Sequence, residues 1–195
     1  MTVRRAGATL ALVLALAGCG GAAEPPPPAQ AQAPVPSSVP VTVPFKGLRP
    51  TSVKIPKIGA ESSLLAVALK PDGSISVPSV HTPMQAAWYK LSPVPGDTGP
   101  AIVLGHVDGD RKPGIFFMLK DLAPGDEVDV DRSDGRKLKF VVDRVTQVPK
   151  ETFPRDAVYG NSNEPELRLI TCGGAFDHAE HSYRDNIVVY AKLAS

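Results

Sequence analysis

Cysteine is almost missing from this sequence. Only Cys19 and Cys172 occur in 195 residues, so no disulfide framework staples the chain. A surplus of charge is missing too. Lysine and arginine number 21 against 20 acids, which excludes a polybasic nucleic-acid or membrane-surface patch as the basis of function. Aromatic residues make up only 6%, and the single tryptophan, Trp88, reads with Tyr89 as core. No apolar run reaches the roughly 20 residues that a membrane-spanning helix needs. The run from Ala6 to Ala17, behind Arg4 and Arg5, has the size of a secretory h-region instead. Long amphipathic helices and internal repeats are also lacking.

What is present begins with that N-terminal leader. It ends in Leu16-Ala17-Gly18-Cys19, which resembles a bacterial lipobox and implies cleavage before Cys19 and lipidation of its sulfur. Residues 20–50 hold nine of the 21 prolines. Such a segment favours an extended polyproline path over a core. The expected organisation is a signal peptide over residues 1–18, a lipidated Cys19 with a proline-rich stalk to residue 50, and one domain over residues 51–195. The expected location is the outer face of the cytoplasmic membrane, with the membrane as partner through the lipid.

Beyond Pro50 the pattern is of short alternating runs broken by turn residues, the signature of β-structure. "SVKIP", "SSLLAVAL", "ISVP" after the turn "PDGS", and "PAIVLGHV" each read as strands. "DEVDVDRSDGRKLKFVVDRVTQV" reads as a hairpin turning at Asp134-Gly135, with a phase slip near Asp143–Val145 that predicts a bulge. "ELRLITC" and "NIVVYAKL" close the chain. Short helical pieces are expected around Ile115–Leu119 and Phe153–Tyr159. Seven or eight strands in about 145 residues favour a closed β-barrel or a sandwich.

With Cys19 lipidated, Cys172 has no partner. Alternation in "LRLITC" puts Leu167, Leu169 and Thr171 on one face and Arg168, Ile170 and Cys172 on the other. Cys172 thus falls at the end of its strand, before Gly173-Gly174, a placement suited to an accessible nucleophile. A free thiol titrates near about 8.5 and is mostly neutral at pH 7, so such a cysteine ordinarily has a histidine or cationic neighbour. His106, at the end of "AIVLGH" and two residues before Asp108, is the first candidate, with Asp108 a possible orienting group. His178 and His181 lie in the polar loop "FDHAEHSYRDN". The spacing of Cys172, His178 and His181 matches no zinc pattern, so neither metal nor other cofactor is expected.

Three ordered stretches, "LGHVDG", "LRLITCGG" and "YRDNIVVYA", together resemble the sortases, the cysteine transpeptidases of bacterial surfaces. The double glycine and the compact length are most similar to the actinobacterial class F group. The resemblance covers residues 51–195 and implies an all-β fold, a closed eight-stranded barrel with short helices in its connections. It implies that Cys172 attacks an LPxTG-like sorting signal to form a thioacyl-enzyme, that His106 is general acid and then base, and that Arg184 stabilises the oxyanion. The implied partners are a surface-protein sorting signal and an amine acceptor, either a peptidoglycan stem peptide or a pilin lysine. Sortases are usually held by a transmembrane helix, whereas this leader implies a lipid. The different-class alternative is a non-catalytic barrel lipoprotein that binds peptide or glycan. L,D-transpeptidases keep histidine and cysteine in one short motif, and papain-like hydrolases place the cysteine first, on a helix. Here the histidine precedes the cysteine by 66 residues, so both of those fail.

Overall fold

A computed structural model of the chain describes residues 47–195; the leader, Cys19 and most of the stalk lie outside the described residues. Eight strands close into a barrel: β1 (Pro50–Ile55), β2 (Ala60–Val67), β3 (Ala86–Tyr89), β4 (Gly99–Gly105), β7 (Glu127–Arg132), β8 (Lys137–Pro149), β9 (Pro165–Asp177) and β10 (Ser182–Leu193). Their order around the wall is β1-β2-β3-β4-β9-β10-β8-β7, with β7 pairing back onto β1. A separate two-stranded hairpin, β5 (Asp108–Gly109) with β6 (Lys112–Pro113), stands in the connection after β4. The all-β barrel expected from the sequence is the fold observed.

Alternation decides which side chains fill the barrel. Val53, Val103, Val128, Val130, Phe140, Leu167, Leu169 and Val189 point inward and are buried, and Phe116 plugs the interior from the connection after β6. β4, β9 and β10 are covered on their outer face as well. There Ile102, Leu104, Ile170, Val188 and Tyr190 pack with Val158 of the short helix α1 (Arg155–Tyr159). This is why "AIVL" and "IVVY" read as unbroken runs of buried residues, since both faces of those strands are covered. Trp88 is fully buried, as expected, and Tyr89 packs at the edge of the outer cluster.

Two pairings are parallel, β2 with β3 and β4 with β9. The β2–β3 crossover is residues 68–85. Its "ISVP" stretch does not become a strand and makes a single bridge, Ile75 to Leu69. The crossover leaves it no neighbouring strand, and Pro78 cannot donate to a ladder. The expected hairpin turn at Asp134-Gly135 is present, with Gly135 in the left-handed region at φ 84°. The expected bulge is present too. The β10 register moves from Tyr190↔Arg144 to Ala191↔Val142, stepping over Asp143. The helix expected at Ile115–Leu119 is instead a set of turns running into a 3-10 segment, Leu119–Asp121. Drawing the Phe116 ring into the barrel leaves too few residues to nucleate an α-helix there. The second helical piece is shortened to Arg155–Tyr159, starting after Pro154.

Candidate active site

Cys172 lies within β9, not at its end. It pairs with Asn186 on β10, and β9 continues to Asp177. The end that the sequence pattern detects belongs to the neighbouring strand. β4 accompanies β9 only as far as Leu104↔Ile170, so the β4-side edge of β9 is open at Cys172. The thiol is free and half-buried. The glycines that follow have a structural cause. Between Tyr183↔Phe176 and Asp185↔Gly173, Gly174 and Ala175 face the single residue Arg184. This is a β-bulge, with Gly174 in the left-handed conformation at φ 73°. A Cβ at Gly174 would also stand 2.2 Å from the Asp185 carboxylate.

His106 follows the last residue of β4. The parallel register pairs each β4 residue with the one 66 positions later, Ala101 with Leu167 through Leu104 with Ile170. The ladder stops there, two residues short of His106, and of this segment it is Val107, not His106, that lines the cavity shared with Cys172. The His106 ring is oriented by Pro78, with Nε2 2.7 Å from the Pro78 carbonyl oxygen. A carbonyl can only accept, so Nε2 carries the proton and Nδ1 holds the lone pair of the neutral ring. The His106 carbonyl accepts from Phe116 N at 3.0 Å, and that of Val107 accepts from Gly114 N at 2.8 Å. Gly114 permits this close approach, because a Cβ there would lie 2.3 Å from the His106 oxygen, a backbone atom with no side-chain freedom. Gly114→Ala is therefore expected to displace the His106 hairpin and lower turnover by about 10-fold or more. The fold should persist, with a loss of about 1–3 kcal/mol in chemical denaturation.

Arg184 projects outward, with 68% of its side chain exposed, and donates to Asp177 from both Nη2 (3.0 Å) and Nε (3.3 Å). The backbone amides of Glu180 and Ala179, then the Arg184 guanidinium, hold the Asp177 carboxyl below its usual value. The neighbouring Asp185 carboxylate is not the partner of Arg184; it accepts from Gln147 Nε2 at 2.6 Å. Arg184 borders an open cleft with Asp177 and Glu180, next to the Cys172 cavity but not in its lining.

That cavity has a volume of about 290 Å³. Phe116, Phe117, Val107 and Ile187 give it apolar walls, and Lys120, Gln147, Thr171, Cys172 and Tyr183 are polar members of its lining. His178 and His181 do not line it. The His178 ring packs edge-on against Phe176 at 5.1 Å, and His181 takes a left-handed turn position at φ 47°. The Asp108 carboxylate does not bond the His106 ring; it accepts the Tyr183 hydroxyl. Sequence reasoning passed over Tyr183 and Pro78. Tyr183 adjoins Arg184, but only the strand register reveals that it faces the cavity. Pro78 acts through its backbone oxygen, which no residue type announces.

A closed barrel of eight strands, with Cys172 on β9 and His106 just past the end of its parallel neighbour β4, defines the architectural class. Residues 53–194 match the sortase domain family, and the chain belongs to the sortase family. Among solved structures it is similar to sortase A from Corynebacterium diphtheriae, with TM-score 0.56 and 22% identity over 74% of this chain and 60% of that one. It is also similar to a pilus-related sortase C of Group B Streptococcus, with TM-score 0.58 and 16% identity over 75% and 68%. Sortase C-1 from Actinomyces oris is similar as well, with TM-score 0.57 and 20% identity over 74% and 73%. The chain thus spans less than two thirds of the Corynebacterium diphtheriae enzyme's length. No curated protein matches the chain.

Proposed function

We propose that this chain is a transpeptidase that cleaves an LPxTG-like sorting signal and passes the acyl group to an amine at the cell wall. The observation that supports the reading is the sortase domain match together with an apolar-walled cavity lined by Cys172 and by Val107, the neighbour of His106. Cys172 Sγ gives its proton to His106 Nδ1 and attacks the scissile carbonyl carbon, the C–N bond breaks, and the departing amine takes that proton from His106. An incoming amine then attacks the thioester, gives its proton to the imidazole and releases Sγ. Arg184 stabilises the oxyanion in both steps after exchanging Asp177 for substrate. The acceptor is a peptidoglycan stem peptide or a pilin lysine. Gly173-Gly174 and the compact length support a place in the actinobacterial class F group. The leader supports export and anchoring by lipid on Cys19, with residues 20–50 as the stalk.

The test is mass spectrometry of purified protein incubated with a Leu-Pro-x-Thr-Gly peptide and a short glycine peptide as amine. A product cut between Thr and Gly and joined to the amine supports the reading. If no cleavage occurs across a library of related motifs and Cys172 also fails to react with a thiol probe, the reading falls and a peptide- or glycan-binding barrel takes its place.

A further inference from the structure

We infer that Tyr183 and Asp108 form a latch that sets the position of His106 against Cys172; the inference rests on the catalytic reading above. The Tyr183 hydroxyl donates to Asp108 Oδ2 across 75 residues of sequence. Asp108 opens β5, two residues after His106, while Tyr183 lies on β10, the strand paired to β9 beside Cys172. The bond therefore joins the segment carrying the imidazole to the strand pair carrying the thiol.

The need for such a tie follows from the pairing. Past Leu104↔Ile170 the β4–β9 ladder ends, and residues 106–115 are held by a different partner, the β2–β3 crossover. Pro78 O accepts from His106 Nε2, Pro83 O accepts from Ile115 N at 2.9 Å, and His81 Nδ1 lies 2.9 Å from Asp110 Oδ1. All three contacts fix the His106 hairpin to the crossover and none fixes it to β9. Tyr183 supplies that second anchor. Its ring is braced edge-on by Phe176 at 5.1 Å and 75°, and it flanks the same cavity as Cys172. Acceptance by Asp108, with burial, pushes the phenol up to about 12. The hydroxyl thus stays a donor through the whole neutral and alkaline working range. Tyr183 and Asp108 are positioning residues, since both act through the placement of His106.

The test compares Tyr183→Phe, Asp108→Ala, Asp108→Asn and the Tyr183→Phe/Asp108→Ala double variant in the transpeptidation assay, with melting curves for each. A loosened general acid–base should lower kcat by about 10-fold while KM stays within about 2-fold. Asp108→Asn should stay within about 3-fold of the parent, because its amide oxygen still accepts from the phenol. The double variant should be no worse than either single change, the signature of a shared interaction. Three results each overturn the latch: unchanged kcat in Tyr183→Phe, additive losses in the double variant, or Asp108→Asn as impaired as Asp108→Ala. Amide exchange at residues 107–114 reads the latch without turnover. It should quicken by about 10-fold in Tyr183→Phe while the β-strand amides hold steady, and an unchanged rate overturns the latch. Absence of turnover in the parent protein would instead count against the catalytic reading, leaving the exchange measurement to decide the latch.

Discussion

Alanine at Cys172 is expected to abolish transpeptidation, a loss of about 10⁵-fold or more, with no thioester adduct on the protein. Every step of the proposed reaction forms or breaks a bond to Sγ, and no second thiol exists among the described residues. The fold should tolerate the change. The side chain is half-buried, at the open edge of β9, and outside the interior cluster. The melting temperature should therefore stay within about 4 °C of the parent. Mass spectrometry of product and protein together reads both. A Cys172→Ala protein that still joined peptide to amine would transfer the chemistry to another group and sink the assignment.

Lysine at Arg184 is expected to lower kcat by about 10²–10³-fold, the usual cost of losing a donor to a developing oxyanion. Lysine keeps the charge and discards the planar fork, so the change isolates geometry from charge. In the free protein the guanidinium rests on Asp177. That pair is exposed and therefore weak in water, which makes it a resting position that substrate can displace. Backbone amides and the Arg184 guanidinium hold the Asp177 carboxyl below the usual aspartate value. A depressed acid contributes its pairing above the unfolded value and loses it only as pH falls through the folded one. The kcat profile should accordingly show no step from Asp177 between about pH 5 and 9. Steady-state kinetics of Arg184→Lys beside Asp177→Asn checks this. A kcat within about 2-fold of the parent in Arg184→Lys would remove Arg184 from the oxyanion role.

The hairpin turn at Asp134-Gly135 and the skipped Asp143 were legible because both leave a local mark, a turn dipeptide and a break in alternation. The two parallel pairings were not, since nothing in "SSLLAVAL" or "PAIVLG" encodes which strand stands beside it. That one gap accounts for the misplaced strand end at Cys172. The apolar pattern stops where β4 stops, while β9 runs on through glycines whose lack of side chains hides their strand. Cys172, His106 and Arg184 could be singled out by residue type and motif. The resting contact of Arg184 with Asp177, and that of Tyr183 with Asp108, depend on a bulge and on a loop approach that sequence spacing does not carry.

The parallel register of β4 and β9 also governs when the two proposed reactive groups first meet. The two strands are separated by the whole of β5 to β8, and they join only through a long-range closure that is slow relative to local hairpins. A chain that has not yet closed its barrel therefore carries its thiol and its imidazole as strangers. In the proposed reaction, acyl transfer waits on that closure.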